Sequence, residues 1–165
     1  MILSLILLLL HTPEPEEIRL FNKINEYRIK NGKTALSYCD SLSYVAETHS
    51  IDMYFHFDID NPCSLHTWSF SKFWTGGCIP EGKNDQWHIM YNKPKELLGM
   101  KARGYEISYM LQPKDFKITP KDAFDGWIAS TPHRNVILEK GWDRPFVRMG
   151  VSIYKGIANV WFAQE

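Results

Sequence analysis

The chain has 165 residues and a mass of 19.3 kDa, enough for one domain with a proper core and too little for two. Hydrophobic residues make up 44%, aromatics 14% and charged residues 23%, a composition that excludes an intrinsically disordered chain. The formal net charge is +0 with no basic stripe, which argues against a nucleic-acid binder working through phosphate neutralisation.

Met1 to Leu10 is apolar apart from Ser4. The run is too short to cross a bilayer, which needs roughly 20 apolar residues, so an integral membrane protein is not expected. It has the length of a signal-peptide core. No Lys or Arg precedes it and no small-x-small site follows it, and the alternative is an N-terminal strand or helix of the mature fold. The reading adopted is a leader over residues 1–13, cleaved near residues 11–13, on a secreted, extracellular protein. A single domain then occupies residues 16–165.

Pro15, Glu16 and Glu17 open a helix, with proline early and acids in the first turn. Ile18, Phe21, Ile24 and Tyr27 recur at helical spacing, and Asn31-Gly32 stops them. A second helix is expected from Asp40 to Tyr54, burying Leu42, Val45, Ala46, His49 and Met53. On that apolar face His49 reads as a hydrogen-bonded core residue. The stretch from His56 to Lys101 shows no clear period and is rich in Trp, Gly, Pro and Asn, so it reads as one long structured loop.

The odd count of three cysteines leaves at least one without an intrachain partner. Cys63 and Cys78 flank the aromatic part of that loop and are the natural pair in an oxidising compartment. Cys39 reads as a small buried hydrophobe. Trp68, Phe70, Phe73, Trp74 and Trp87 crowd the same region, either as a satellite core stapled by the two cysteines or, in part, as an apolar groove for an amphipathic ligand.

Beyond the loop, a strand is expected over Tyr105 to Leu111. Thr119-Pro120 starts a helix that buries Ala123, Phe124, Trp127 and Ile128, and Thr131-Pro132 repeats the signal before Val136, Ile137 and Leu138. A hairpin closes the chain: Val147 to Ile153 alternates, Lys155-Gly156 turns and Ile157 to Phe162 returns. Helices first, strands last, predict an α+β domain with a largely antiparallel sheet.

Several of these segments together resemble the CAP superfamily (cysteine-rich secretory proteins, antigen 5 and pathogenesis-related proteins; the SCP domain), in particular its bacterial and protist branch. Residues 21–28 (FNKINEYR) resemble its first helix, and residues 42–53 (LSYVAETHSIDM) its second. Residues 63–69 (CSLHTWS) resemble the loop bearing its first cavity histidine. Gly104-Tyr105-Glu106-Ile107 stands where the family has a Gly-Glu-Asn signature, with the glutamate one place later. Residues 127–138 (WIASTPHRNVIL) resemble the tryptophan, serine-proline-histidine-arginine segment, with Ser130 where the wider family often has a glutamate. Residues 149–152 and 160–162 resemble the closing strands.

The resemblance implies a three-layer α-β-α sandwich and a surface cavity lined by His66, Glu106, Ser130 and His133. It implies metal ligation by His66, His133 and Glu106: two neutral imidazoles and one carboxylate leave a fourth tetrahedral position open, as in a non-structural zinc site. His133 sits in the first turn of its helix, whose positive end favours a neutral ring. The expected function is a non-enzymatic binding module with no catalytic residue assigned. Its implied ligands are a divalent metal such as zinc, a lipid, sterol or small amphipathic molecule, or an extracellular protein. The rivals are a metal-dependent hydrolase or protease using His66, Glu106 and His133, and an interaction domain whose cavity is vestigial.

Overall fold

Proline at the first helical turn and two acids beside it start helix α1 at Pro15, and α1 runs to Lys30. The computed structural model describes residues 12–60, 62–82, 85–101 and 103–164. The leader expected over residues 1–13 lies outside them except for Thr12 and Pro13. Gly32, at φ 74°, takes the left-handed turn that ends α1. Three polar side chains of α1 are buried and used as fasteners. Glu17 Oε1 accepts from the Ile153 amide at 2.9 Å. Asn25 makes a reciprocal pair with the Leu36 backbone at 2.8 and 3.0 Å. Arg28 donates to Ile137 O and to Glu139, both at 2.6 Å.

Strand β1 (Ser37–Tyr38) follows, then helix α2 (Asp40–His56), which buries Leu42, Val45, Ala46, His49 and Met53 as the spacing predicts. The stretch read as one long loop contains two short helices, α3 (His88–Tyr91) and α4 (Lys93–Leu98). At less than two turns each they are too short to show a period. Strand β2 (Gly104–Met110), helix α5 (Pro120–Ala129), helix α6 (Thr131–Ile137) and the hairpin β3 (Arg148–Tyr154) and β4 (Ile157–Ala163) complete the chain. Thr119 caps α5, accepting from the Asp122 amide. Thr131 does not cap α6: the cap position is Ser130, one residue earlier.

The four strands form one sheet in the order β1-β3-β4-β2, with β1 parallel to β3 and the other pairs antiparallel. The domain is therefore α+β with a mostly antiparallel sheet. Alternation along the strands sends two sets of side chains to two cores. Ile107, Met149, Val151, Val160 and Phe162 join Leu20, Ile24 and Trp127 on the face that carries α1, α5 and α6. Trp161 and Ala163 join Leu42, Val45, Ala46 and Trp68 on the α2 face. Gly150 allows α2 to lie this close, because a Cβ there would meet the Leu42 and Ser43 backbone at 2.2 Å.

Cys63 and Cys78 form the expected disulfide, with a Cα–Cα distance of 5.4 Å. Cys39 is a free thiol, half-buried rather than fully buried, at the start of α2. Of the loop aromatics, Trp68 is core and Trp74 and Trp87 are half-buried, whereas Phe70 and Phe73 are exposed. The satellite-core reading thus holds for the tryptophans and fails for the two phenylalanines.

Candidate functional site

Glu106 is the third residue of β2 and lies in register with Trp161 on β4, so its side chain faces α2. The carboxylate is wholly buried, and both of its oxygens are occupied by imidazoles. His49 Nδ1 lies 2.5 Å from Oε1 and His66 Nδ1 lies 2.9 Å from Oε2. His49 comes from the inward stripe of α2; His66 comes from the disulfide-closed loop. The segment 64–67 is a turn in which Ser64 N bonds Ile79 O and Thr67 N bonds Ser64 O.

Partner chemistry assigns the protons. His49 Nε2 faces the Thr67 carbonyl at 3.0 Å, which only accepts, so Nε2 carries hydrogen. His49 Nδ1 faces a carboxylate, which accepts as well. Burial alone would push the His49 pKa down, but the Glu106 charge and hydrogen bond outweigh it and the net direction is up. Burial likewise favours protonated Glu106, but His49 and His66 overcome it and hold the carboxyl at about 2. The pair is a buried imidazolium and carboxylate. His49 stacks on Trp68 at 4.2 Å with rings nearly parallel, and the Lys93 ammonium lies 5.0 Å from the same indole.

His66 donates from Nδ1 to Glu106, which leaves its Nε2 as an acceptor. Its side chain is 13% exposed, so the ring reaches the surface above the buried pair. His133, in the first turn of α6, is half-buried and lies 2.8 Å from Ser130 Oγ through Nδ1. Burial lowers its pKa to about 4, with a smaller electrostatic contribution from nearby His66. The cause of its neutrality is chiefly desolvation, where the sequence pointed to the helix end.

From His66 an aromatic run leads away across half-buried rings. His66 lies 5.3 Å from Trp87, Trp87 packs on Tyr91, Tyr91 on Tyr105 and Tyr105 on Trp142. The surface thus offers the His66 ring at one end and apolar faces beyond it.

The four residues expected to line a site fall into two hydrogen-bonded pairs, His66 with Glu106 and His133 with Ser130, with the two histidines electrostatically coupled. In this arrangement each oxygen of the buried Glu106 accepts from one imidazole, while the resemblance would have His66, His133 and Glu106 hold a zinc ion. Among the described residues no group of three His, Cys, Asp or Glu side chains is arranged to hold a metal ion. His49 is the member that sequence reasoning placed in the core and not in the site. It is a satisfied core residue, but the group that satisfies it is Glu106.

Comparison with known proteins agrees with this architecture. The family model "CAP: Cysteine-rich secretory protein family" matches residues 21–163. No curated protein sequence matches the chain. Among solved structures, a cysteine-rich secretory protein of Staphylococcus aureus shares 12% identity at a TM-score of 0.60, over 91% of this chain and 38% of its own. An extracellular SCP-domain protein of Bacillus anthracis shares 16% at 0.63, over 91% of this chain and 40% of its own. An outer surface protein of Borrelia burgdorferi shares 16% at 0.56, over 93% of this chain and 96% of its own. The chain spans about two fifths of the first two.

Proposed function

The chain belongs to the cysteine-rich secretory protein (CAP) family, and from that premise we propose that it is an exported, non-enzymatic binding module whose ligand site is the surface bearing His66 and His133. The disulfide and the extracellular or outer-surface character of the Bacillus and Borrelia relatives support export. No described helix is long and apolar enough to cross a membrane.

One observation carries the binding reading. Glu106, the only carboxylate of the expected set, is wholly buried with both oxygens engaged. A general base must reach the proton it removes, and this carboxylate is instead spent on holding His66 in the tautomer that offers Nε2 outward. An acceptor nitrogen beside a run of half-buried aromatic rings suits a small amphipathic molecule. Its hydroxyl or amine would donate to the imidazoles, and its apolar body would lie over Trp87 and its neighbours.

The test is a titration of the purified, tag-free protein with 1-octanol as an amphipathic probe, followed by the imidazole resonances, with metal content measured on the same sample. Saturable shifts at His66 and His133, lost in His133→Ala with folding intact, are expected, at metal well below one equivalent. One equivalent of retained zinc, with hydrolytic activity abolished in His133→Ala, would replace this reading by the metal-dependent hydrolase.

A further inference from the structure

Residues 69–75 hold two phenylalanines in water on a segment fastened at both ends. At its start, Asp52 accepts from the Ser69 amide at 2.8 Å and from the Ser69 hydroxyl. Inside it, Trp74 Nε1 donates to Ser69 O at 2.9 Å, and the Phe73 amide donates to Ser71 Oγ at 3.1 Å. At its end, Glu96 Oε1 accepts from the Thr75 amide and hydroxyl, both at 2.6 Å, while buried Lys93 bonds Thr75 O and Glu96 Oε2. Gly76 closes the segment, where a Cβ would lie 2.3 Å from Ser69 O. Phe70 is nevertheless 87% exposed and Phe73 69%. Phe55, 63% exposed on the outward face of α2, lines the same open groove as both of them.

We infer that this braced aromatic ridge is a membrane-surface contact that seats Phe70 and Phe73 in the headgroup–acyl boundary of an anionic bilayer. At such exposure the rings project rather than line a closed pocket, which fits insertion into a soft interface better than the capture of one partner side chain. Because the ridge is fixed beforehand, insertion loses little chain entropy. The charges point the same way. Residues 69–75 contain Lys72 and no acid, and Lys72 Nζ stands 5.0 Å from the Phe73 ring. Of the acids around it, Asp52 is turned to Ser69 and Glu96 to Lys93 and Thr75, while Glu47 of α2 lines the groove beside Phe55. An apolar tip with a long flanking cation is the chemistry of the lipid–water boundary. This surface is independent of the histidine site, so either can fail without the other.

The test is sedimentation with phosphatidylcholine vesicles with and without about 30 mol% phosphatidylglycerol, which gives the vesicle a negative surface. The full chain is compared with Phe70→Ser/Phe73→Ser and with Lys72→Glu; any contribution from apolar residues 1–10 is common to all three. Exposed positions should leave the circular dichroism and melting temperature unchanged. Expected is binding to the anionic vesicles that weakens at least tenfold in the double variant and severalfold in Lys72→Glu. Equal binding by wild type and double variant overturns the inference, as does failure to bind either vesicle. Self-association in solution that the double variant abolishes, without vesicle binding, would assign the ridge to a second copy of the chain.

Discussion

At the scale of residues, a buried carboxylate shared by two imidazoles fixes the behaviour of the site. Removing one partner from a buried ion pair leaves the other charge uncompensated. Glu106→Gln strands the His49 imidazolium, and chemical denaturation should show a loss of about 3–5 kcal/mol. Acid sensitivity follows from the same groups. His133 is held at about 4 against an ordinary 6.5. Between those values the unfolded chain binds the extra proton, so stability falls as the pH drops from 6.5 to 4. Glu106, at about 2 against 4.5, extends the loss from 4.5 downward. His49 runs oppositely: its contribution is complete below 6.5 and is lost as the pH rises through its raised folded value. The melting temperature of His133→Asn should therefore decline less than that of wild type between pH 6.5 and 4, and parallel declines would contradict the assignment. The pairing of His49 with Glu106 could not be read in sequence. A helical stripe shows that His49 points inward, but not which residue of a strand 57 positions away will meet it.

At the scale of elements, what was legible is what has a period or a punctuation mark. Helix α1 begins at Pro15 and stops before Gly32 because proline and glycine constrain the backbone directly. The alternating β3–β4 hairpin was equally plain. Helices α3 and α4, at four and six residues, carry less than two turns of pattern, and the two-residue β1 carries none. For α6 the Thr131-Pro132 signal was one residue late: the cap position is Ser130 and proline stands second in the helix. The contact of α2 with the sheet rests on Gly150, whose missing side chain lets the Leu42–Ser43 backbone approach. Gly150→Ala should separate the two elements and cost roughly 1–3 kcal/mol by urea denaturation. An unchanged midpoint would mean that α2 does not lie that close.

At the scale of the whole molecule, a sandwich of two cores brings a helix, a loop and a strand to one point. The α2-side core and the disulfide position His66, while the opposite core carries α5 and the start of α6 with Ser130 and His133. The family resemblance gave His66, Glu106, Ser130 and His133 but not His49, and the sequence could not give their bonding, because hydrogen-bond geometry depends on all three elements at once. Cys63→Ser/Cys78→Ser opens a closure between residues 15 apart in sequence. It should lower stability by about 3 kcal/mol and loosen His66 from Glu106 more than His49, which α2 holds independently. A long-range proton–nitrogen correlation spectrum of the six imidazoles at neutral pH tests the shared carboxylate most directly. It should show His49 with hydrogen on both ring nitrogens and His66 with hydrogen on Nδ1, both altered by Glu106→Gln. A His66 ring protonated on Nε2 instead, or a His49 signature indifferent to Glu106→Gln, would contradict the account.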